Sequence, residues 1–205
     1  MLARYSDARL PTPHGEFRIV VYRTGKPGGA GATAVGVAEE EHVAMVLGDV
    51  ASAGGAGVLT RVHSSCFTGE VLGSLRCDCR AQLDAALARI AREGRGVLVY
   101  LVQEGRGIGL GNKVRAYELQ DQGADTVDAN LQLGFDADLR SYEIAVQILR
   151  DLGVTSVRLM TNNPAKTAGL ARAGIAVDAT EAHWVGSNEH NADYLQAKKA
   201  RLGHQ

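Results

Sequence analysis

Excess charge of either sign, an even set of cysteines and any long apolar run are all missing from this chain of 205 residues, and each absence excludes a class of function. Lys and Arg number 22 against 23 Asp and Glu, a formal net charge of -1, so the chain lacks the basic balance of a protein that coats a duplex, and no nucleic acid is expected as a partner. No uncharged apolar run approaches the ~18 residues of a membrane span, so no membrane contact is expected either. Three cysteines cannot close a pairwise disulfide framework, and no charged-then-apolar leader precedes Tyr5, which makes the reducing cytoplasm the expected compartment. Aromatic residues are scarce at 5%. At ~150 residues per domain, two large domains are excluded and residues 1–205 are expected to form a single one.

Glycine is present in excess: 25 residues, where ~7% of a chain is usual. Many backbone positions must turn sharply or approach something closely. The N-terminal third reads as β-structure, with short apolar or β-branched runs at 17–22, 42–47 and 58–62 separated by glycine-rich loops. The loop from Gly25 to Val35 reads as a tolerated insertion. From Arg80 onward helix and strand signals alternate. Leu83, Ala86, Leu87 and Ile90 predict an amphipathic helix over 81–93 closed by Gly94, and 96–102 reads as a buried strand. Helices are expected over 113–122 and around Ile144, Ile148, Leu149 and Leu152, a strand over 157–160, and a basic last helix near 192–202. The fold class is therefore α/β, a mixed sheet with flanking helices and a β-rich N-terminal third, with ligands expected at the strand C-terminal ends.

All three cysteines fall within a short stretch: Cys66, then Cys77-Asp78-Cys79. Soft thiolates at this spacing suit Zn²⁺, and three protein ligands leave a position for the water that a catalytic site activates. His63 as a fourth ligand would instead make a structural clip, and three merely buried thiols are a further alternative. A Cys-x-x-Cys redox pair is absent.

Beyond the buried strand lies Gln103-Glu104-Gly105-Arg106-Gly107-Ile108-Gly109-Leu110-Gly111-Asn112-Lys113. It fits neither the dinucleotide nor the P-loop glycine pattern, yet its backbone is free to approach an anion, with Arg106 and Lys113 to neutralise phosphate. A second polar loop, Thr161-Asn162-Asn163-Pro164-Ala165-Lys166, follows the next strand and is also a plain turn signal. Asp138 is placed to be the N-cap of the helix after it, and Arg140 in that helix's first turn would oppose the macrodipole.

The runs Arg61-Val62-His63-Ser64-Ser65-Cys66, Leu75-Arg76-Cys77-Asp78-Cys79, Gln103-Glu104-Gly105-Arg106, Arg115-Ala116-Tyr117 and Thr161-Asn162-Asn163-Pro164 together resemble GTP cyclohydrolase II, a resemblance that extends from Leu10 to His204. It implies the conversion of GTP to a diaminopyrimidinone ribosylamino 5′-phosphate with release of formate and pyrophosphate, the opening step of riboflavin biosynthesis. It further implies a zinc ion on Cys66, Cys77 and Cys79 that supplies the water for C8 of guanine. Tyr117 is expected near it. Arg140 resembles the family's nucleophile on the α-phosphate and Asp138 its proton-accepting partner; an ordinary arginine is protonated, so charge stabilisation by Arg140 is the alternative. GTP contacts are implied at Arg61, Val62, His63, Ser64, Ser65, Gln82, Glu104, Gly105, Arg106, Thr126, Thr161 and Lys166, with Glu104 accepting from guanine N1–H and the amino group. Mg²⁺ is expected on the GTP phosphates, and the family implies a homodimer. Ser65 departs from the Glu common at its position, and no companion domain for dihydroxybutanone phosphate synthesis is expected. Two rival readings are a paralogue that stops at a formamidopyrimidine and a guanine-nucleotide-binding protein with structural zinc.

Overall fold

The computed structural model describes residues 2–25, 40–136, 139–192 and 194–196. Most of the Gly25–Val35 loop, Asp138 and most of the expected last helix lie outside the described residues.

Seven strands form one mixed sheet: β1 (Leu2–Thr12), β2 (Gly15–Thr24), β3 (Glu40–Leu47), β4 (Val58–Ser64), β5 (Gly96–Leu101), β6 (Ser156–Met160) and β7 (Ala176–Glu181), in the order β1-β2-β3-β5-β4-β6-β7. The first two make a hairpin in which Thr12 Oγ1 donates to the Gly15 carbonyl at 2.8 Å. Antiparallel pairing continues through β3 to β5, and the β5–β4, β4–β6 and β6–β7 pairs are parallel. This parallel pairing explains the uninterrupted apolar reading of β5: both of its faces are covered.

Successive residues of one strand serve opposite faces. Val97, Val99 and Leu101 pack with Val58, Val62 and Leu159 against Val146, Ile148 and Leu149 of α5 (Glu143–Asp151) and Leu170 of α6 (Pro164–Arg172). On the other face Leu98, Leu59, Met45 and Phe17 meet Ala86 and Ile90 of α2 (Cys79–Glu93). A Cβ on Gly96 would lie 2.6 Å from the Leu59 carbonyl oxygen and 3.0 Å from Ile90, so this glycine lets helix and sheet approach. Gly94 ends α2 in the left-handed region at φ 76, its N–H on the Ile90 carbonyl, as its position in the sequence predicts.

The remaining helices are α1 (Phe67–Glu70), α3 (Gly109–Asp121) and α4 (Thr126–Gln132). Helix α3 starts four residues before the expected Lys113. Helix α5 begins at Glu143 with Tyr142 at its N-cap, which corrects two expectations: Asp138 is not that cap, and Arg140 precedes the helix, so it does not oppose the macrodipole. Strands β1 and β7 and helices α4 and α6 carry no assignment from the sequence. In β1 nearly every side chain is exposed, so no alternation marks it. In α6, Asn163-Pro164 reads as a turn, but Asn163 is the N-cap, accepting from the Ala165 N–H at 2.9 Å, and Pro164 opens the helix.

Candidate active site

Strands β4, β5 and β6 run the same way, so their C-terminal ends open at one edge, and a cleft lies there. Beyond β4, Ser65 donates its N–H to the Leu101 carbonyl at 2.8 Å and its hydroxyl accepts from the Gln103 N–H at 3.2 Å, tying two strand ends together. Cys66 then precedes α1, and Cys77 and Cys79 lie at the start of α2. The three sulfurs fall within 4.8 Å of one another, with Cys66 and Cys77 only 3.6 Å apart. Gly69 makes this possible: a Cβ there would sit 2.8 Å from the Cys77 sulfur and 3.2 Å from that of Cys66.

Three soft donors gathered around a backbone lacking a side chain fit a zinc ion bound by three ligands. His63 does not join them; its Nε2 faces Glu70 Oε1 at 2.7 Å. Thiol hydrogen bonds from Cys77 and Cys79, with Lys113 alongside, push the Cys66 thiol down, and the Cys66 sulfur holds the other two up, so negative charge settles on Cys66.

Lys113 lines the cleft, with its ammonium 3.1 Å from the Cys66 sulfur and 2.8 Å from Glu104 Oε1, so it also adjoins the thiol cluster. Burial pulls this ammonium down, but Glu104 and Cys66 outweigh it and keep it charged. Glu104 also accepts from the Gly105 N–H at 2.9 Å and from the Phe67 N–H at 2.6 Å. Three donors already occupy its carboxylate, leaving limited room to read a guanine edge. Tyr117 shares a hydrogen bond with Thr68 at 3.2 Å, and burial pushes its hydroxyl up, so it is a donor at neutral pH.

A cationic group adjoins the sulfurs. Arg61 is fully enclosed; one of its nitrogens donates to the Met160 carbonyl at 2.7 Å, another to Gln82, and its Nε has no partner among the described residues. Burial drops the Arg61 guanidinium to about 10, still charged at neutral pH. Gln82 in turn donates to Asp78 at 2.6 Å, between two of the cysteines. Lys166, buried, donates to the Val62 carbonyl at 2.8 Å. Arg106 lines the cleft from a loop where it adopts φ 62 after Gly105 at φ 61, a conformation few non-glycine residues hold.

Of the residues marked in the sequence, the cleft brings together Cys66, Cys77, Cys79, Tyr117, Arg140, Arg61, His63, Ser64, Ser65, Gln82, Glu104, Gly105, Arg106, Thr126, Thr161 and Lys166. Val62 is the exception, its side chain fully buried in the core and only its carbonyl turned to Lys166. Asp138 lies outside the described residues. Sequence reasoning missed Arg76, Asn130 and Tyr194 in the cleft wall and His183 behind it. His183 hydrogen-bonds the Gln82 carbonyl at 2.8 Å, and burial drops its pKa to about 4. No motif marks it; its role depends on a loop beyond β7.

The sequence model described as GTP cyclohydrolase II matches residues 3–182. Riboflavin biosynthesis protein RibBA of Mycobacterium tuberculosis is 53% identical over 207 residues, covering 99% of this chain and 46% of its own length. The RibBA of Rhodococcus erythropolis is 52% identical over 204 residues, covering 98% and 46%. The chain thus spans about half the length of the curated relatives it matches. Among solved structures, RibBX, a two-domain 3,4-dihydroxy-2-butanone 4-phosphate synthase from A. baumannii, aligns with a TM-score of 0.44 at 22% identity over 88% of this chain and 40% of that one. By the extent of the family match, this chain belongs to the GTP cyclohydrolase II family.

Proposed function

We propose that the chain is a zinc-dependent GTP cyclohydrolase II, hydrolysing GTP to a diaminopyrimidinone ribosylamino 5′-phosphate, formate and pyrophosphate, with residues 1–205 as one catalytic unit. The observation that carries this reading is that a single cleft holds both the three-thiol cluster and a set of cations including Arg61, Arg106, Arg140 and Lys166. A nucleotide that is opened at its base and cleaved at its phosphates needs both.

Cys66, Cys77 and Cys79 hold the zinc, which when bound supplies a Lewis acid and an activated water at neutral pH. Lys113 offsets the charge that three thiolates concentrate beside it. Tyr117, protonated, donates a hydrogen bond to the ring atoms under attack. Arg61, buried and charged, and Lys166, buried beside it in the cleft wall, draw the triphosphate in, and Arg106 adds a guanidinium that matches phosphate geometry. Arg140 stabilises the charge that develops as pyrophosphate departs; its resemblance-derived role as nucleophile on the α-phosphate, with Asp138 as proton acceptor, predicts a covalent guanylyl protein that electrostatic stabilisation does not. Thr126, Thr161, Ser64 and Ser65 supply polar contacts along the wall. Mg²⁺ accompanies the phosphates through their oxygens and water. The enzyme opens riboflavin biosynthesis in the cytoplasm as a homodimer.

The test is to incubate zinc-replete protein with GTP and Mg²⁺ while following formate, pyrophosphate and the mass of the nucleotide product. Equal formate and pyrophosphate with a deformylated monophosphate support the full reaction. A product that keeps its formyl group replaces it with the partial one, and binding without turnover replaces it with a binding protein. Acid quench of radiolabelled α-phosphate GTP decides between the two roles of Arg140.

A further inference from the structure

Behind the thiol cluster lies a buried polar group that the scheme above leaves without a task. Glu70, at the end of α1, and Tyr100, on β5, do not line the cleft, whereas His63 does. Tyr100 donates its hydroxyl to Glu70 Oε2 at 2.6 Å, and His63 Nε2 meets Glu70 Oε1 at 2.7 Å. The Tyr100 ring stacks on the imidazole with centroids 5.8 Å apart and planes 15° from parallel. The ring is thus fixed by a hydrogen bond at one nitrogen and by a packed face. Its other nitrogen, Nδ1, is buried with no partner among the described residues. Leaving a buried polar atom unpaired is costly, so a donor is expected at this nitrogen.

We infer that Glu70, steadied by Tyr100, is a positioning residue that fixes His63 as the Nε2–H tautomer, so that Nδ1 accepts a hydrogen bond from a hydroxyl or N–H of the substrate's nucleoside. A carboxylate beside Nε2 holds the proton there, and a neutral imidazole has only one N–H to give. Burial lowers the His63 pKa, which keeps the ring neutral at neutral pH. A lone pair at Nδ1 rejects phosphate oxygens, which bring only acceptors, and selects ribose hydroxyls or the guanine N–H groups. His63 thereby separates the nucleoside from the phosphates, which go to the cations. The inference rests on the proposed function only for the identity of the nucleotide.

The experiment uses zinc-loaded protein with ¹⁵N-labelled histidine, the His63 ring being assigned through His63→Gln. Long-range correlation spectra are expected to show the Nε2–H tautomer, and saturating α,β-methylene GTP is expected to shift the Nδ1 resonance. The 2′-deoxy and 3′-deoxy forms and the inosine form of that analogue then name the donor as whichever abolishes the shift; if none does, it is guanine N1–H. Glu70→Gln should mix the tautomers and raise KM for GTP about fivefold, the equivalent of one hydrogen bond, with kcat and zinc content held. Tyr100→Phe, which keeps the ring, should keep the tautomer and raise KM less. An Nδ1–H tautomer, an Nδ1 signal indifferent to the analogue, or an unchanged tautomer and KM in Glu70→Gln overturns the inference. An Nδ1 shift in a protein that never turns GTP over leaves the inference standing and removes the cyclohydrolase reading instead.

Discussion

The antiparallel and the parallel parts of the sheet bury similar residues yet do different work. Among the described residues, none before Arg61 lines the cleft, so β1, β2 and β3 contribute nothing to its wall. Their alternating directions send neighbouring ends to opposite edges. From β5 through β4 to β6 and β7 the directions agree, and every loop that follows such a strand starts from the same edge. Width and cover for the core come from one part; convergence of side chains comes from the other. Chemistry follows strand direction more closely than it follows burial.

Substitutions in the two parts should therefore separate cleanly. The largest effect is expected from Cys79→Ser, which should lose zinc and reduce formate release to background; full metal content by elemental analysis, with normal turnover, would end the metal assignment. Gly69→Ala forces a methyl group against two sulfurs, and overpacking of this kind costs ~1–3 kcal/mol. Zinc affinity measured by competition with a chelator should drop at least several-fold while the fold persists.

Acid should weaken the parallel part through His183. Its pKa is about 4 in the folded chain against 6.5 for the free side chain, so the unfolded state takes up the proton first. Stability is complete above pH 6.5 and falls as pH drops from there toward 4. Denaturant titrations across that window should show this slope, and His183→Gln should flatten it. Asn163→Ala removes the α6 cap and should cost ~1 kcal/mol by the same method. The smallest effect belongs to the antiparallel edge. Arg9 is 86% exposed beside Glu16 at 3.8 Å, and Arg9→Ala should change stability by less than ~0.5 kcal/mol and leave turnover untouched. A change in kcat there would break the division between the two parts.

Much of this division was legible before any coordinates. The apolar run of β5 and the period of α2 with its Gly94 stop located the centre of the sheet and one covering helix, because burial on both faces and helical spacing each leave a plain pattern. The cysteine spacing found the thiol cluster. What stayed hidden depended on partners distant in sequence. Strand β1 has little buried surface to pattern it, and α6 was masked because Asn-Pro serves a turn and a helix start equally well. Lys113 was assigned to phosphate by its charge, since nothing local shows that Cys66 and Glu104 are its neighbours. Glu70 carried no motif at all, and its meaning rests on Tyr100, thirty positions on.

The placement of β4 between β5 and β6 imposes a timetable on the nascent chain. All three sulfur donors have been synthesised by residue 79, whereas the carbonyl that Arg61 needs belongs to Met160 and the ammonium on Val62 to Lys166. Contacts so far apart in sequence form late. A ribosome therefore releases the three sulfur donors and Arg61 long before Met160 and Lys166 exist, so the thiol cluster and the completed cationic wall belong to successive stages of the molecule's biogenesis.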